Sequence, residues 1–242
     1  MRILLTAAAT LALIAAPASA AQLLTNGDFE TGTYAGWTAL NAPASNGSIQ
    51  LDTPGSTTPV SGMATAANAL GGRFYSMTDQ SGPGAYALLQ TFTVAPGTTS
   101  LTLSFQQFVQ TGIPLIIGPP NFDFTGAPNQ HARVDILTST ASAFSTAAAD
   151  VVQNFYLNID GPVVSPYIAY SFDISTLAAG TYQLRFAQVD NQGFFNQGVD
   201  NVSIEAVAGA VPEPTSWAMM IVGFGIVGAS ARRRIVNRAA SA

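Results

Sequence analysis

The chain has 242 residues, and its 13 acidic residues outnumber its eight basic ones, all of which are arginine. The absence of lysine excludes Schiff-base chemistry and a lysine general base. The absence of cysteine excludes disulfides, so stability must come from burial or from a bound metal. Residues 21–211 contain twelve of the acids and three of the arginines, a net charge of −9 that disfavours nucleic acid and anionic lipid surfaces as partners.

The first twenty residues have the organisation of a secretory signal peptide. Met1 and Arg2 form a short positive region, residues 3–16 are apolar, and Ala18 and Ala20 frame a small-residue cleavage site. We therefore predict cleavage after Ala20 and export through the Sec pathway. Residues 21–205 then form one acidic domain, which is long enough to bury a core.

Apolar and polar residues alternate with a period of two in several segments of this domain, a pattern that is typical of half-buried strands. The clearest cases are 101–106, 168–174 and 182–186. Further strands are predicted at 23–25, 86–94, 132–137, 155–159 and 199–206. Many short strands separated by turn residues predict an all-β fold, an antiparallel jelly-roll β-sandwich.

Two distant segments resemble the opening and closing strands of galactose-binding-like sandwiches, which include several carbohydrate-binding modules. They are L-T-N-G-D-F-E at 24–30, with Gly32 and Trp37 downstream, and G-V-D-N-V-S-I at 198–204. The resemblance implies that both ends lie together and hold a structural Ca²⁺. Its ligands would be the Asp28 carbonyl and the side chains of Glu30 and Asp200. The alternative is that Asn26 and Asp28 form Asx turns and Asp200 caps a loop.

Sugar binding requires aromatic faces and planar polar groups on one surface. Candidate ligand-binding residues are Tyr34, Trp37, Phe194, Phe195 and Asn196. The last three fall within 190–197, which is polar, aromatic and turn-like. The alternative is that each ring packs in the core, as most aromatic residues of a sandwich do.

Signals for catalysis are few. The chain contains no G-x-S-x-G and no H-E-x-x-H motif, and His131 is its only histidine. His131 is interpreted as a polar residue at a strand end, and Arg185 as the partner of a neighbouring acid. The proline-rich segment 111–130 is a candidate binding loop through Phe122, Asp123 and Phe124, or a cover for a sheet edge.

A linker of small residues is predicted at 206–211, followed by a tail at 212–238. Pro212 and Pro214 fix φ and remove two backbone donors, so Glu213 lies in an extended, exposed segment that suits a processing enzyme. An apolar helix at 217–231 would reach about 22 Å, short of the roughly 30 Å hydrocarbon core. Trp217 suits one membrane interface, and the arginine cluster at 232–238 suits the cytoplasmic one.

This tail resembles the PEP-CTERM sorting signal in its P-E-P-x-x-W-A form. The matching residues are Pro212, Glu213, Pro214, Trp217, Ala218, Gly223, Gly225, Gly228, Arg232, Arg233 and Arg234. The resemblance implies recognition by an exosortase, a membrane-embedded enzyme of Gram-negative bacteria that make exopolysaccharide. The alternative is an ordinary C-terminal membrane anchor. The G-x-G-x-x-G pattern at 223–228 does not indicate a nucleotide site, because only fourteen residues follow it.

The sequence therefore predicts an exported protein that associates with the inner membrane transiently through its C-terminal helix. It then reaches the cell surface or the extracellular matrix. We expect a non-enzymatic module that binds extracellular polysaccharide or has a structural role. The alternatives are a glycoside hydrolase or polysaccharide lyase that works from paired acids, and an adhesin that self-associates with calcium.

Overall fold

The computed structural model describes residues 20–63, 72–111, 118–158, 167–209, 219–229 and 232. Residues Ala20–Ala208 form one compact unit. Its strands, in chain order, are β1 Ala20–Gln22, β2 Thr38–Asn41, β3 Ser48–Asp52, β4 Tyr75–Asp79, β5 Gly84–Val94, β6 Thr98–Thr111, β7 Gln130–Thr138, β8 Val151–Asn158, β9 Ile168–Asp173, β10 Gly180–Asp190 and β11 Phe195–Ala208.

These strands form two antiparallel sheets. The first sheet has the order β3-β4-β11-β6-β9, with β1 also paired to β11, and the second has the order β2-β5-β10-β7-β8. If the eight strands from β4 to β11 are numbered one to eight, the first sheet has the order 1-8-3-6. The second sheet then has the order 2-7-4-5. This alternation between sheets is that of a jelly roll. The prediction of an antiparallel jelly-roll β-sandwich is confirmed.

The core lies between the sheets and is built by the alternating apolar residues of the long strands. Leu101, Leu103 and Phe105 of β6 face Leu184 and Phe186 of β10 across it, and all five are at most 2% exposed. Because side chains alternate between the two faces of a strand, the odd-numbered residues of β10 point to the outer face of the second sheet.

Two loops, at 118–129 and 139–150, cover part of that outer face. Phe122 and Phe144 pack edge to face with ring centroids 5.5 Å apart. They belong to one apolar cluster with Ala187 and Val189 of β10. The loops therefore give the second sheet a small additional core on its outer side.

The predicted segments at 86–94, 101–106, 132–137, 182–186 and 199–206 lie within β5, β6, β7, β10 and β11, and 168–174 agrees with β9 to within one residue. The segment 155–158 lies in β8, and residue 159 is outside the described residues. The strand predicted at 23–25 is wrong in position, because β1 ends at Gln22 and the Thr25 backbone is bound by the Gln90 side chain instead.

Two boundaries of β11 also differ from the prediction. The strand begins at Phe195, inside the segment interpreted as turn-like, and continues to Ala208, inside the predicted linker. The first extension pairs with the end of β6, and the second pairs with both β6 and β1. Pairing on both sides satisfies the backbone of 206–207, and this explains why small residues form a strand there.

The C-terminal unit is described only in part. Residues 219–229 are helical and exposed, and they include Gly223, Gly225 and Gly228; Arg232 is helical as well. Among the described residues, no helix combines the length and the hydropathy that a membrane span requires. Ala18, Pro212, Glu213, Pro214, Trp217, Arg233 and Arg234 lie outside the described residues.

Candidate functional site

The opening and closing segments of the domain meet, as the sequence predicted. The Leu23 amide donates to the Ile204 carbonyl, and the Val202 amide donates to the Gly27 carbonyl, both at 2.9 Å. Gly27 is required here, because a Cβ would lie 1.9 Å from the Val202 carbonyl oxygen. A shallow cavity of about 330 Å³ lies between the two segments.

The three predicted calcium-ligating residues accept hydrogen bonds from backbone amides. Glu30 Oε1 accepts from the amides of Arg73 (2.7 Å) and Phe74 (2.9 Å). Asp28 Oδ1 accepts from the Glu30 amide (3.3 Å), and Asp200 Oδ1 accepts from the amide that follows it (2.7 Å). Among the described residues, no group of three or more His, Asp or Glu side chains is placed to hold a metal ion. The contacts of Asp28 and Asp200 fit the alternative of an Asx turn and a capped loop, whereas Glu30 caps a segment that is distant in sequence. A structural Ca²⁺ stays a prediction.

Tyr34 and Trp37 have their rings packed against the core. Trp37 is 7% exposed, its Nε1 donates to the Asn26 carbonyl (3.0 Å), and its ring centroid lies 5.5 Å from that of Phe29. Tyr34 packs edge to face on the same Phe29, and burial raises its pKa far above the ordinary value. The burial of Trp37 contradicts its prediction as an exposed face for sugar, whereas Tyr34 is half-buried and its sugar-binding role stays a prediction.

Phe195 and Asn196 are also buried, whereas Phe194 is half-buried. The reason is that β11 already begins at Phe195, which pairs with Thr111 of β6. The Asn196 amide forms a hydrogen bond with the Ser61 hydroxyl inside the protein. The prediction that 194–196 presents a sugar-binding surface is therefore wrong for Phe195 and Asn196.

A buried carboxylate, Asp190, lies next to this segment at the end of β10. It accepts hydrogen bonds from Gln130 Nε2 (2.9 Å), Gln80 Nε2 (3.0 Å) and the amides of Gln192 and Gly193. Burial raises the pKa of Asp190, although these four donors oppose the rise. The carboxylate therefore organises the turn between β10 and β11.

Arg185 pairs with an acid, as predicted. Its Nη2 lies 2.5 Å from Asp135 Oδ2, and Arg133 Nε lies 2.7 Å from the same oxygen, so two arginines share one carboxylate. Burial opposes ionisation of Asp135. The hydrogen bond from Arg133 and the charge of Arg185 outweigh this effect, and the pKa of Asp135 lies below its ordinary value. The charged triad lies on the outer face of the second sheet.

The triad also holds both covering loops. Arg133 Nη1 donates to the Pro120 carbonyl (3.1 Å), and Arg185 Nη1 donates to the carbonyls of Ala143 (2.8 Å) and Ser145 (2.7 Å). Phe122 stacks over the Arg185 guanidinium at 5.0 Å. Phe122 is therefore part of a cover over the outer face of the sheet at its central strand β10, whereas the sequence predicted a cover for a sheet edge.

His131 is fully buried, and its Nδ1 lies 3.1 Å from Asn129 Oδ1. Burial and the positive charge of Arg133 lower the pKa of His131 to about 4, although Asp135 opposes this shift. At neutral pH the ring is therefore uncharged. Its Nε2 has no hydrogen-bond partner among the described residues.

An open groove of about 440 Å³ lies beside the covering loops on the same face of the second sheet. Thr38 and Leu40 of β2, Thr91 of β5 and Gln183 of β10 line it. Thr91 and Gln183 are directly opposite each other in the β5–β10 ladder. The sequence analysis did not identify these residues, because only the strand register brings them together.

Comparison with known families identifies the C-terminal segment. Residues 210–234 match the family described as the PEP-CTERM protein-sorting motif. The chain therefore carries a PEP-CTERM sorting motif, which indicates an exported, membrane-sorted protein. A search of characterised protein sequences found no match for the chain.

Several solved structures are similar to the sandwich. TmCBM61, solved with β-1,4-galactotriose, has 10% identity and a TM-score of 0.46, covering 76% of this chain and 97% of its own. The K3 cleaved adhesin domain of Lys-gingipain from Porphyromonas gingivalis has 17% identity and a TM-score of 0.47, covering 77% and 99%. A Stig cyclase from Fischerella sp. TAU has 16% identity and a TM-score of 0.48, covering 79% and 100%. At these scores the likenesses support no argument about function.

Proposed function

We propose that this protein is a non-enzymatic module of the bacterial cell surface or extracellular matrix, sorted by an exosortase, whose sandwich binds extracellular polysaccharide. The observation that carries the sorting part of the proposal is the motif at 210–234. In this proposal the inner membrane is a transient partner, and the extracellular polysaccharide is the lasting one.

The chemistry of the tail supports processing by a membrane enzyme. The sequence predicts that Pro212 and Pro214 favour an extended backbone around Glu213 and remove two donors, which would suit entry into a protease-like cleft. The apolar residues and arginines that follow would hold the segment at the inner membrane while it is processed. The sandwich, a compact unit that ends at Ala208, would then be delivered outside the membrane.

Three carboxylates of the sandwich have structural partners, which favours a binding role over catalysis for these residues. Asp135 is shared by two arginines, Asp190 accepts four N–H bonds, and Glu30 accepts two backbone amides. Each carboxylate therefore stabilises the fold. An acid or base for glycoside cleavage would have to be free to exchange a proton with substrate.

The delivery half is tested by localisation. The full chain, a chain ending at Val211 and the Glu213→Ala variant are expressed in the native bacterium, with Glu205→Ala as a control acid outside the motif. We expect the full chain and the control at the surface or in the matrix, and the other two in the periplasm or medium. Surface delivery that is unchanged by truncation contradicts the proposal, as does delivery that persists after the exosortase gene is deleted.

The binding half is tested by incubating the purified full chain, in detergent, with polysaccharide secreted by the same bacterium. We expect retention of the protein on the polysaccharide without turnover. New reducing ends would identify a hydrolase, and unsaturated sugar products would identify a lyase. Either product contradicts the non-enzymatic role.

A further inference from the structure

We propose that the groove on the outer face of the second sheet is the polysaccharide site, and that it takes an uncharged stretch of glycan chain. This inference rests on the polysaccharide binding proposed above and adds the site and the ligand class. The groove has a volume of about 440 Å³ and is open to solvent. A segment of a longer chain can therefore lie in it with both ends free.

The floor of the groove offers hydrogen-bonding groups next to apolar surface. Thr91 and Gln183 are opposite each other, and Thr38 is opposite Leu89 in the neighbouring ladder. Opposite side chains in antiparallel strands are about 5 Å apart, so both members of a pair can contact the same sugar ring. Leu40, which is 39% exposed, provides an apolar edge for the C–H face of the ring.

The walls of the groove are built from small residues. Gly36 has φ of +86°, and a Cβ there would lie 3.1 Å from Thr25 Cβ. Ala141 and Ala143 form the opposite wall. A larger side chain at any of these positions would narrow the space that a chain of sugar rings requires.

Hydrogen bonds fix the loop wall in place. Gln183 Nε2 lies within 3.2 Å of the carbonyls of Thr138, Ser139 and Ala141. Arg185, held by Asp135, donates to the carbonyls of Ala143 and Ser145. A site whose walls are already ordered loses little conformational entropy when a ligand binds.

A second wall is fixed in the same way. Gln90 Oε1 accepts from the Thr25 amide (2.5 Å), and its Nε2 donates to the Thr25 carbonyl (2.9 Å). The segment that carries Thr25 is therefore tied to β5 next to the groove. Both walls are set by side chains of the second sheet itself.

Charge decides which polysaccharide fits. Among the described residues, those that line the groove include no charged side chain. The domain as a whole carries a net charge of −9, which repels uronate-containing or sulfated chains. Threonine hydroxyls, the Gln183 side-chain oxygen and leucine side chains instead match the hydroxyls and C–H faces of neutral sugars.

Affinity electrophoresis of the full chain in detergent tests the ligand class. The gels contain dextran or β-1,3-glucan as neutral probes, and alginate or polygalacturonate as acidic ones. We expect at least one neutral polysaccharide to retard the protein, with little dependence on salt, and the acidic ones to leave its mobility unchanged. Retardation by the acidic probes, or by no probe at all, overturns the inference.

Two matched pairs of variants test the site. Thr91→Trp fills the groove from an exposed position, and Ser100→Trp places the same ring on an exposed position of the first sheet. Leu40→Asp adds a charge at the groove, and Val60→Asp adds it at an equally exposed residue elsewhere, since both are 39% exposed. We expect the groove variants to weaken retardation by about tenfold or more and the controls to match the parent chain.

The outcomes separate this inference from the proposed function. If the parent chain binds a neutral polysaccharide and the groove variants bind it equally well, the groove is not the site, but the binding function stands. If the chain binds no polysaccharide, both the site and the binding function fail. The localisation experiment is independent of either result.

Discussion

The environment of His131 makes the stability of the sandwich sensitive to acid. The imidazole is buried beside Arg133, with Asp135 and Arg185 close enough to influence it, and its pKa is lowered to about 4. An unfolded chain binds a proton at the ordinary pKa of 6.5, before the folded chain does. The unfolded state is therefore favoured progressively as the pH falls from about 6.5 towards 4.

We predict that His131→Asn removes this loss of stability, because the asparagine amide can keep the bond to Asn129 without titrating. The parent chain should lose up to about 1.4 kcal/mol of unfolding free energy per pH unit in this interval, and the variant should lose less. Urea unfolding of both chains between pH 7.5 and 4.5 measures the two slopes. Parallel slopes would show that His131 does not cause the effect. The pKa of Asp135 is lowered from its ordinary value of 3.8. Its protonation therefore causes a further loss of unfolding free energy as the pH falls below about that value.

Substitution of Glu30 can distinguish two roles of its carboxylate, metal binding and capping of backbone amides. Its carboxylate accepts the amides of Arg73 and Phe74, which are 43 and 44 residues away in sequence. We predict that Glu30→Ala lowers the unfolding free energy by about 1 kcal/mol, and that the loss is the same in EDTA and in calcium. Glu30→Gln, which keeps an acceptor oxygen, should lose less.

Chemical unfolding in both buffers checks this prediction. A loss of stability that appears only in the presence of calcium would instead support the ligand role that the sequence predicts. Asp200→Ala, measured in the same two buffers, provides a second test of that role. Its carboxylate accepts the neighbouring amide at 2.7 Å.

At the scale of elements, the join between the opening segment and β11 depends on close backbone contact. Gly27 lies against the bulge of β11, where a Cβ would meet the Val202 carbonyl oxygen at 1.9 Å. We predict that Gly27→Ala destabilises the domain by about 1–3 kcal/mol, because the two backbones must separate. Gly180→Ala, where the nearest atom would be 3.6 Å away, is the matched control and should cost little. A thermal melt that ranks the two variants in the opposite order contradicts this account.

The strands that could be predicted from the sequence are those with one face in the core. Leu101 and Leu103 of β6, and Leu184 and Phe186 of β10, alternate with polar residues. This alternation predicts both strands from the sequence. By contrast, β2 is exposed on both faces and shows no period of two, and β4 has only two apolar residues, Tyr75 and Met77, in a strand that is buried on both faces. Such strands are defined by their partners, which are distant in sequence.

The candidate site could be predicted only in part, for the same reason. The meeting of 24–30 with 198–204 followed from a resemblance, and the structure confirms it. The groove depends on the register that places Gln183 opposite Thr91, which no local pattern contains. Phe195 was assigned to a surface because its neighbours are turn-like, whereas pairing with Thr111 places it inside.

At the scale of the whole molecule, the first and last strands of the sandwich, β1 and β11, pair with each other. Among the described residues, β1 pairs with β11 through Ala20–Gln22, and β11 ends at Ala208, the last residue of the compact unit. Signal cleavage after Ala20 would leave two of the three pairs of β1 in place. The domain should therefore not depend on either of its processed ends for stability.

We predict that a chain of residues 21–208 melts within about 2 °C of the full chain in the same detergent, a difference of under about 1 kcal/mol. A chain that ends at Ile204 is the control. It loses the partner residues of β1 and the buried Ala206, so it should melt about 5–10 °C lower. Circular dichroism of the three chains measures the midpoints. If 21–208 melts as low as the control, residues outside 21–208 contribute to the fold, and processing of the two ends would destabilise the delivered domain.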